Sequence, residues 1–302
     1  MSLKEKVLAT MKSRETESDF ELYVTRTPGY LWAKLFEYLH IHPIAVTLAS
    51  MAIGAVSGFF FLYDSLKMNL IGMLLLMWAN WLDCADGQLA RMTKKMTLIG
   101  RILDGFAGEV WFFSIYFFLC LRMTNDWGIW IWLLSAWAGF RCHARQCSIA
   151  DYYRNIHLWL LPNVQTSEFA TSEHERKIMK NLKWMSRDWF HKLYLFFYVM
   201  YTEGQEAQCP AFQRLHRYLQ EHLPEGMPMD IRMAFAAQSR PLMKYANLLT
   251  TDLRVGVLFA SLAIGLPWIY IVFECTVMEV LRFYTIRRHE SICKTIYQRL
   301  SA

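Results

Sequence analysis

Charge is scarce in this chain, and the shortage narrows its class. Only 19% of its 302 residues are Asp, Glu, Lys or Arg, against 55% hydrophobic and 16% aromatic. A chain that apolar is not disordered, because it can bury more surface than its ordering costs. With 14 Gly and 8 Pro it is not fibrous either. The seven cysteines (Cys84, Cys120, Cys142, Cys147, Cys209, Cys275, Cys293) are scattered, odd in number and without a Cys-x-x-Cys pair. That points away from a disulfide framework or a zinc site and toward buried free thiols. The first residues are polar and of mixed charge, with no apolar stretch before a small-residue cleavage site, so no cleaved signal peptide is expected. The net charge is +6. Cations beside membrane spans explain it, so no nucleic-acid partner is inferred.

What is present is a series of apolar runs. Residues 43–63, 68–92, 98–123 and 127–149 are each long enough to cross a hydrocarbon core of about 30 Å. Residues 253–284 are too long for one span and carry Gly265, Leu266 and Pro267 in the middle, which reads as two helices and a tight turn. The expected fold is an all-α integral membrane protein with six transmembrane helices. Lys4, Lys6, Lys12, Arg91, Lys94, Lys95, Arg287, Arg288, Lys294 and Arg299 fall on one side of that layout. Both termini are therefore expected in the cytoplasm.

The expected segments are 1–41 (N-terminal, cytoplasmic or interfacial), 42–156 (spans one to four), 157–241 (a helical cytoplasmic insertion) and 242–302 (spans five and six with the tail). Residues 27–40 present a Trp/Tyr/Leu/Phe face broken by Lys34 and Glu37, as in a helix lying on the membrane surface. A helix packed within the cytoplasmic part is the alternative. The insertion has amphipathic patterns at 174–201 and 211–222. Its aromatics Trp184, Trp189, Phe190, Tyr194, Phe196 and Phe197 suit a surface helix, a dimer contact or a lid.

Acids within apolar runs are expensive and therefore informative. Asp83, Asp86, Gly87 and Ala90 form one helical stripe, and Gly100, Asp104 and Gly108 form another. Arg91, Thr97 and Arg101 lie at the connection between the two helices. Three converging carboxylates suit hard divalent cations, and Mg²⁺ commonly bridges carboxylates to substrate phosphates. Arg91 adds a fixed charge for a phosphate. The chemistry this suggests is attack at phosphorus. The alternative is that the acids pair with Arg91 and Arg101 and only hold the hairpin together.

The run Asp83, Asp86, Gly87, Ala90, Arg91, Gly100, Asp104 resembles the signature of the CDP-alcohol phosphotransferases, D-x2-D-G-x2-A-R-x8-G-x3-D-x3-D, with seven fixed residues at the required spacing. The resemblance implies a CDP-diacylglycerol-type donor, transfer of its phosphatidyl group to an alcohol, and release of CMP. It implies two divalent ions, Mg²⁺ or Mn²⁺, on Asp83, Asp86 and Asp104. Gly87 and Ala90 would admit the nucleotide, while Arg91 and Thr97 would contact the donor. Residues 42–47 resemble the family's P-N-x-x-T with Ile44 in place of Asn and Thr47 retained, so weaker nucleotide contacts are expected there. A homodimer in a bacterial cytoplasmic membrane, with the site facing the cytoplasm, is also implied.

The sequence departs from the pattern at the last acid, where it has Gly108 followed by Glu109. On an ideal helix Gly108 lies about 40° from Asp104 and Glu109 about 140° away. Glu109 could replace the missing base if a π-bulge near Gly105 and Gly108 turned it inward. Otherwise it bonds elsewhere in the bundle, and the acceptor is activated by metal alone or the protein is inactive. Arg141, Arg145 and Ser148 share a helical face at the end of the fourth run. They suit a phosphorylated polyol acceptor such as inositol phosphate, or they are cations snorkelling to lipid headgroups. His143 reads as interfacial packing. Asp252 and Arg254 either pair with each other or reach the site. An amino alcohol acceptor and a non-catalytic lipid- or nucleotide-binding relative are the rival functions.

Overall fold

The computed structural model describes residues 2–10, 16–17, 19–161, 169–183, 189–223 and 227–301. These residues are helical throughout, with no strand among them. In chain order the helices are α1 (Leu3–Thr10), α2 (Asp19–Glu21), a π-helical turn (Leu22–Arg26), α3 (Thr27–Tyr38), α4 (Pro43–Phe60), α5 (Leu66–Thr93) and α6 (Leu98–Trp127). Then come α7 (Ile129–Ala136), a second π-helical turn (Trp137–His143), α8 (Ala144–Leu160), α9 (Ser172–Asn181) and α10 (Trp189–Glu206). The last are α11 (Pro210–His222), α12 (Met229–Leu248), α13 (Thr251–Ala263), α14 (Trp268–Cys275) and α15 (Val277–Ser301). Trp184 lies outside the described residues.

Among the described residues, three helices are long and apolar enough to cross a membrane: Pro43–Phe60, Leu66–Thr93 and Ile99–Trp127. They correspond to the first three expected spans. The break expected between the runs 98–123 and 127–149 is instead helical up to Trp127, because nothing stops α6 before Gly128, which turns the chain with φ 56°. The fourth apolar run is divided into α7, the second π-helical turn and α8. The fifth and sixth are two helices separated at Gly265 (φ 74°), as the breaker residues predict. At 13 and 8 residues, α13 and α14 are each too short alone to span about 30 Å.

The chain forms two compact units. Unit 1 comprises Met1–Arg141 and Asp252–Cys275, and unit 2 comprises Cys142–Thr251 and Thr276–Ala302. In unit 1, α4 lies along both α5 and α6. Its glycines allow the approach. A Cβ on Gly54 would sit 2.0 Å from the Trp111 ring, and one on Gly58 would sit 2.4 Å from the Ser114 hydroxyl. The same two side chains then bond to the exposed α4 carbonyls. Trp111 Nε1 donates to Ser50 O at 3.0 Å, and Ser114 Oγ donates to Ala55 O at 2.6 Å. Gly54 and Gly58 are a small-xxx-small pair, the pattern by which membrane helices pack closely. Helix α3 buries Gly29, Tyr30 and Ala33 and packs on α5. Its outer face keeps Leu31, Leu35 and Tyr38 exposed.

Unit 2 is a helical body in which α8, α11, α12 and α15 pack together. Tyr153, Phe212, Leu215, Phe235 and Ile296 are buried in it. Helix α10 packs on α9 and α8, while Trp189, Phe190, Phe196 and Phe197 stay exposed. All seven cysteines are free thiols, four of them buried.

Candidate metal and phosphate site

Three helix ends build the site. Helix α4 starts at Pro43, with His42 Nδ1 accepting the Ile44 amide, and this places Thr47 one turn inside. Helix α5 ends where Lys94 adopts a left-handed conformation (φ 55°). Only three residues later α6 begins, capped by the Thr97 hydroxyl, which accepts the Gly100 amide at 3.0 Å. The short connection brings the last turns of α5 opposite the first turns of α6. Asp83 and Asp86 on one then meet Asp104 on the other.

One carboxylate oxygen from each of Asp83, Asp86 and Asp104 lies within 4.8 Å of the other two. Asp86 is buried, Asp83 is half-buried and Asp104 is exposed, so the group opens at the Asp104 side. Asp83 Oδ1 and Asp86 Oδ2 are buried without a hydrogen-bond partner. Buried carboxylate oxygens are ordinarily satisfied. Two orphaned oxygens beside a third acid fit a divalent cation, whose oxygen ligands would be these three side chains. Thr47 faces Asp86 from α4, with its hydroxyl donating to Pro43 O at 3.2 Å.

Arg91 is anchored on the same rim. Its Nε donates to Thr10 O at 2.6 Å, and both Nη atoms lie 3.5 Å from where a Gly87 Cβ would be. Gly87 thus leaves a bare strip of backbone beside a guanidinium and two carboxylates. Ala90 is half-buried one turn further on. Thr97 is exposed and serves as the α6 cap, a role that the Thr97-x-x-Gly100 spacing carried without being read. The tie from Arg91 to Thr10 joins segments far apart in the chain and has no sequence signal.

The over-long turn expected near Gly105 and Gly108 is absent. Helix α6 is regularly α-helical from Leu98 to Trp127, and the π-helical turn occurs at Trp137–His143 instead. Glu109 is exposed, and the cation acting on it is Arg254. Arg254 itself binds Glu274, with Nη1 2.6 Å from Oε2 and both side chains fully buried. The guanidinium of Arg141 lies 5.7 Å from the centre of the Trp137 ring. Arg145 begins unit 2 on α8, where it is exposed, while Ser148 is buried. His143 is buried beside Cys147, with Nε2 3.7 Å from Sγ.

Long apolar helices around a group of carboxylates, a glycine and an arginine fit an integral membrane protein. Residues 40–155 match the family model described as CDP-alcohol phosphatidyltransferase, over somewhat more than a third of the chain. The family transfers substituted phosphate groups, passing a phosphatidyl group from a CDP-alcohol. The matched segment contains every residue of the pocket. No curated protein and no solved structure matches the chain.

Proposed function

We propose that the protein moves a phosphatidyl group from a CDP-diacylglycerol-type donor to a phosphorylated polyol such as inositol phosphate, releasing CMP. The observation that carries this reading is the convergence of Asp83, Asp86 and Asp104 within 4.8 Å, with two of their oxygens unsatisfied. Two divalent ions, Mg²⁺ or Mn²⁺, held there would neutralise the donor's phosphates and stabilise the departing CMP. Gly87 and Ala90 admit the nucleotide against the α5 backbone. Arg91, with Thr47 and Thr97 at the neighbouring helix starts, orients the donor phosphates. The acceptor hydroxyl oxygen forms the new bond to the lipid-side phosphorus as the bond to the CMP oxygen breaks. The hydroxyl proton passes to a carboxylate, with Glu109 the assigned base. Arg141 and Arg145 are assigned to the acceptor phosphate.

This reading takes six spans, a surface-lying α3, a cytoplasmic 157–241 insertion and a site that faces the cytoplasm of a bacterial membrane, in a homodimer. The test is release of CMP from labelled CDP-diacylglycerol with pooled alcohols and Mg²⁺ or Mn²⁺. Release that vanishes in Asp86→Asn supports it, and donor binding without release for any alcohol overturns it. Arg141→Ala separates acceptors, because a phosphorylated polyol loses binding and an amino alcohol does not. The position of Glu109 beside Arg254, with glycine at 108, favours one second reading: a relative that binds the donor without turning it over.

A further inference from the structure

A second group of ligating side chains lies in unit 2, independent of the lipid-transfer reading. His289, Glu290 and Cys293 occupy adjacent turns of α15, and one ligating atom from each lies within 4.8 Å of the other two, with His289 and Cys293 buried and Glu290 half-buried. No metal signature marks this stretch of sequence, since there is no Cys-x-x-Cys and all three residues sit on one helix. Two further observations point to a ligand. His289 is 1% exposed, and its Nε2 is buried without any hydrogen-bond partner. Its Nδ1 lies 3.7 Å from Cys293 Sγ. The imidazole is clamped flat against Tyr153, with ring centres 3.9 Å apart, so its orientation is fixed.

Glu290 is held in place as well. Its Oε2 accepts the Ala211 amide at 2.5 Å and its Oε1 accepts the Phe212 amide at 3.2 Å, at the start of α11. Each carboxylate oxygen retains a further lone pair. Such outer hydrogen bonds are what orient metal ligands in general. Cys209 stands alongside, its thiol donating to the Tyr153 hydroxyl at 3.5 Å.

We propose that His289, Glu290 and Cys293 form a zinc-class metal site. The donor set selects the ion. One imidazole nitrogen, one thiolate sulfur and one carboxylate oxygen suit Zn²⁺ and Co²⁺, whereas Mg²⁺ prefers oxygen alone. The charge also balances, since a divalent cation with one thiolate and one carboxylate is neutral. That matters where the imidazole and the thiol are buried. On binding, the Cys293 S–H bond breaks, its proton leaves to solvent, and the sulfur electron pair forms the bond to the metal, with no change of oxidation state. The metal would pin α15 to the start of α11.

The test is spectroscopic and uses the whole detergent-solubilised protein after chelator treatment. Titration with Co²⁺ should produce a thiolate-to-cobalt charge-transfer band that saturates at one equivalent. An all-oxygen site at Asp83, Asp86 and Asp104 cannot produce such a band, so failure here is distinct from failure of the transferase reading. Zn²⁺ should bleach the band, and a large excess of Mg²⁺ should not. Cys293→Ser should abolish it, and Cys275→Ser should leave it intact. If Cys293→Ser does not fold, Zn²⁺ bleaching against Mg²⁺ resistance in the unmodified protein decides. No band at saturating Co²⁺, a band that survives Cys293→Ser, or one that Mg²⁺ removes as readily as Zn²⁺ overturns the site.

Discussion

Arg254 and Glu274 form an ion pair 2.6 Å long in which neither side chain keeps any solvent exposure. The Arg254 guanidinium also lies 6.0 Å from the centre of the Phe112 ring. Removing one partner strands a buried charge, which typically costs about 3–5 kcal/mol, whereas replacing both with apolar residues is often neutral. Arg254→Met and Glu274→Leu should each lower the unfolding midpoint in detergent sharply. The double variant should recover most of the loss. Additive losses in the double variant would show that the two side chains are not coupled.

Asp83, Asp86 and Asp104 repel one another when no cation lies between them, since like charges at this range disfavour each other's ionised form. Neutralising one acid relieves that repulsion and removes a ligand. Asp83→Asn should therefore raise the thermal midpoint of chelator-treated protein above that of the unmodified chain. It should also cancel the rise that Mg²⁺ or Mn²⁺ produces in the unmodified chain. A variant that loses stability without metal, and still responds to it, would mean that Asp83 serves packing rather than cation binding.

The pocket was legible in the sequence because its ligands obey helical spacing within two adjacent segments, so Asp83, Asp86 and Asp104 could be placed before any coordinates. The short connection between α5 and α6 supplies what spacing omits, the facing of one stripe against the other. Contacts made by distant segments were not legible. Nothing in the sequence joins Thr10 to Arg91 or Arg254 to Glu274, because pairing over such separations is a property of packing. The fourth run is helical without a break from Ile129 to Leu160, and only its π-helical stretch at Trp137–His143 had no signal in composition. The π-bulge weighed for Glu109 is a backbone event with no fixed residue code, and α6 does not make one there.

Gly54 is where helix packing is most sensitive. A Cβ there would lie 2.0 Å from Trp111 Cδ1, and Trp111 is buried and bonded to Ser50 O. Gly54→Ala must displace the indole or separate α4 from α6. Overpacking of this kind costs about 1–3 kcal/mol. Gly105 on α6 is the control, because nothing lies within 4 Å of its would-be Cβ. Gly105→Ala should gain roughly 0.5–1 kcal/mol from helix entropy alone. Thermal melts of the two variants should move in opposite directions.

In unit 2, His216 is 8% exposed among aromatic rings, 5.2 Å from Trp159 and 5.4 Å from Phe169 between centres. Burial pushes its pKa below the ordinary 6.5, with Glu206 opposing the shift. The unfolded chain therefore binds a proton at higher pH than the folded one. The contribution of neutral His216 is complete above 6.5 and is lost as pH falls below it. His216→Phe should flatten the fall in stability between about pH 7 and pH 5, where an unperturbed histidine gains its proton. Parallel stability curves for the two proteins in that range would contradict the burial argument.

Gly108 decides whether the pocket lacks only a base. It lies about 40° around α6 from Asp104 on an ideal helix, and no atom lies within 4 Å of where its Cβ would be. A side chain added there meets no obstacle and faces the same way as the acids. It is also the position at which the resembled pattern carries its last aspartate. A positioned general base contributes typically about 10²- to 10⁴-fold to rate. If proton removal from the acceptor limits turnover, Gly108→Asp should raise CMP release by about 10²-fold or more. Gly108→Asn, of equal size but unable to take the proton, should not. The fourth acid should also lower the stability of chelator-treated protein, since it adds to the repulsion among Asp83, Asp86 and Asp104. Equal rates in both variants, with Glu109→Gln slowing the unmodified protein, would instead assign the proton to Glu109 and require α6 to distort when substrate binds.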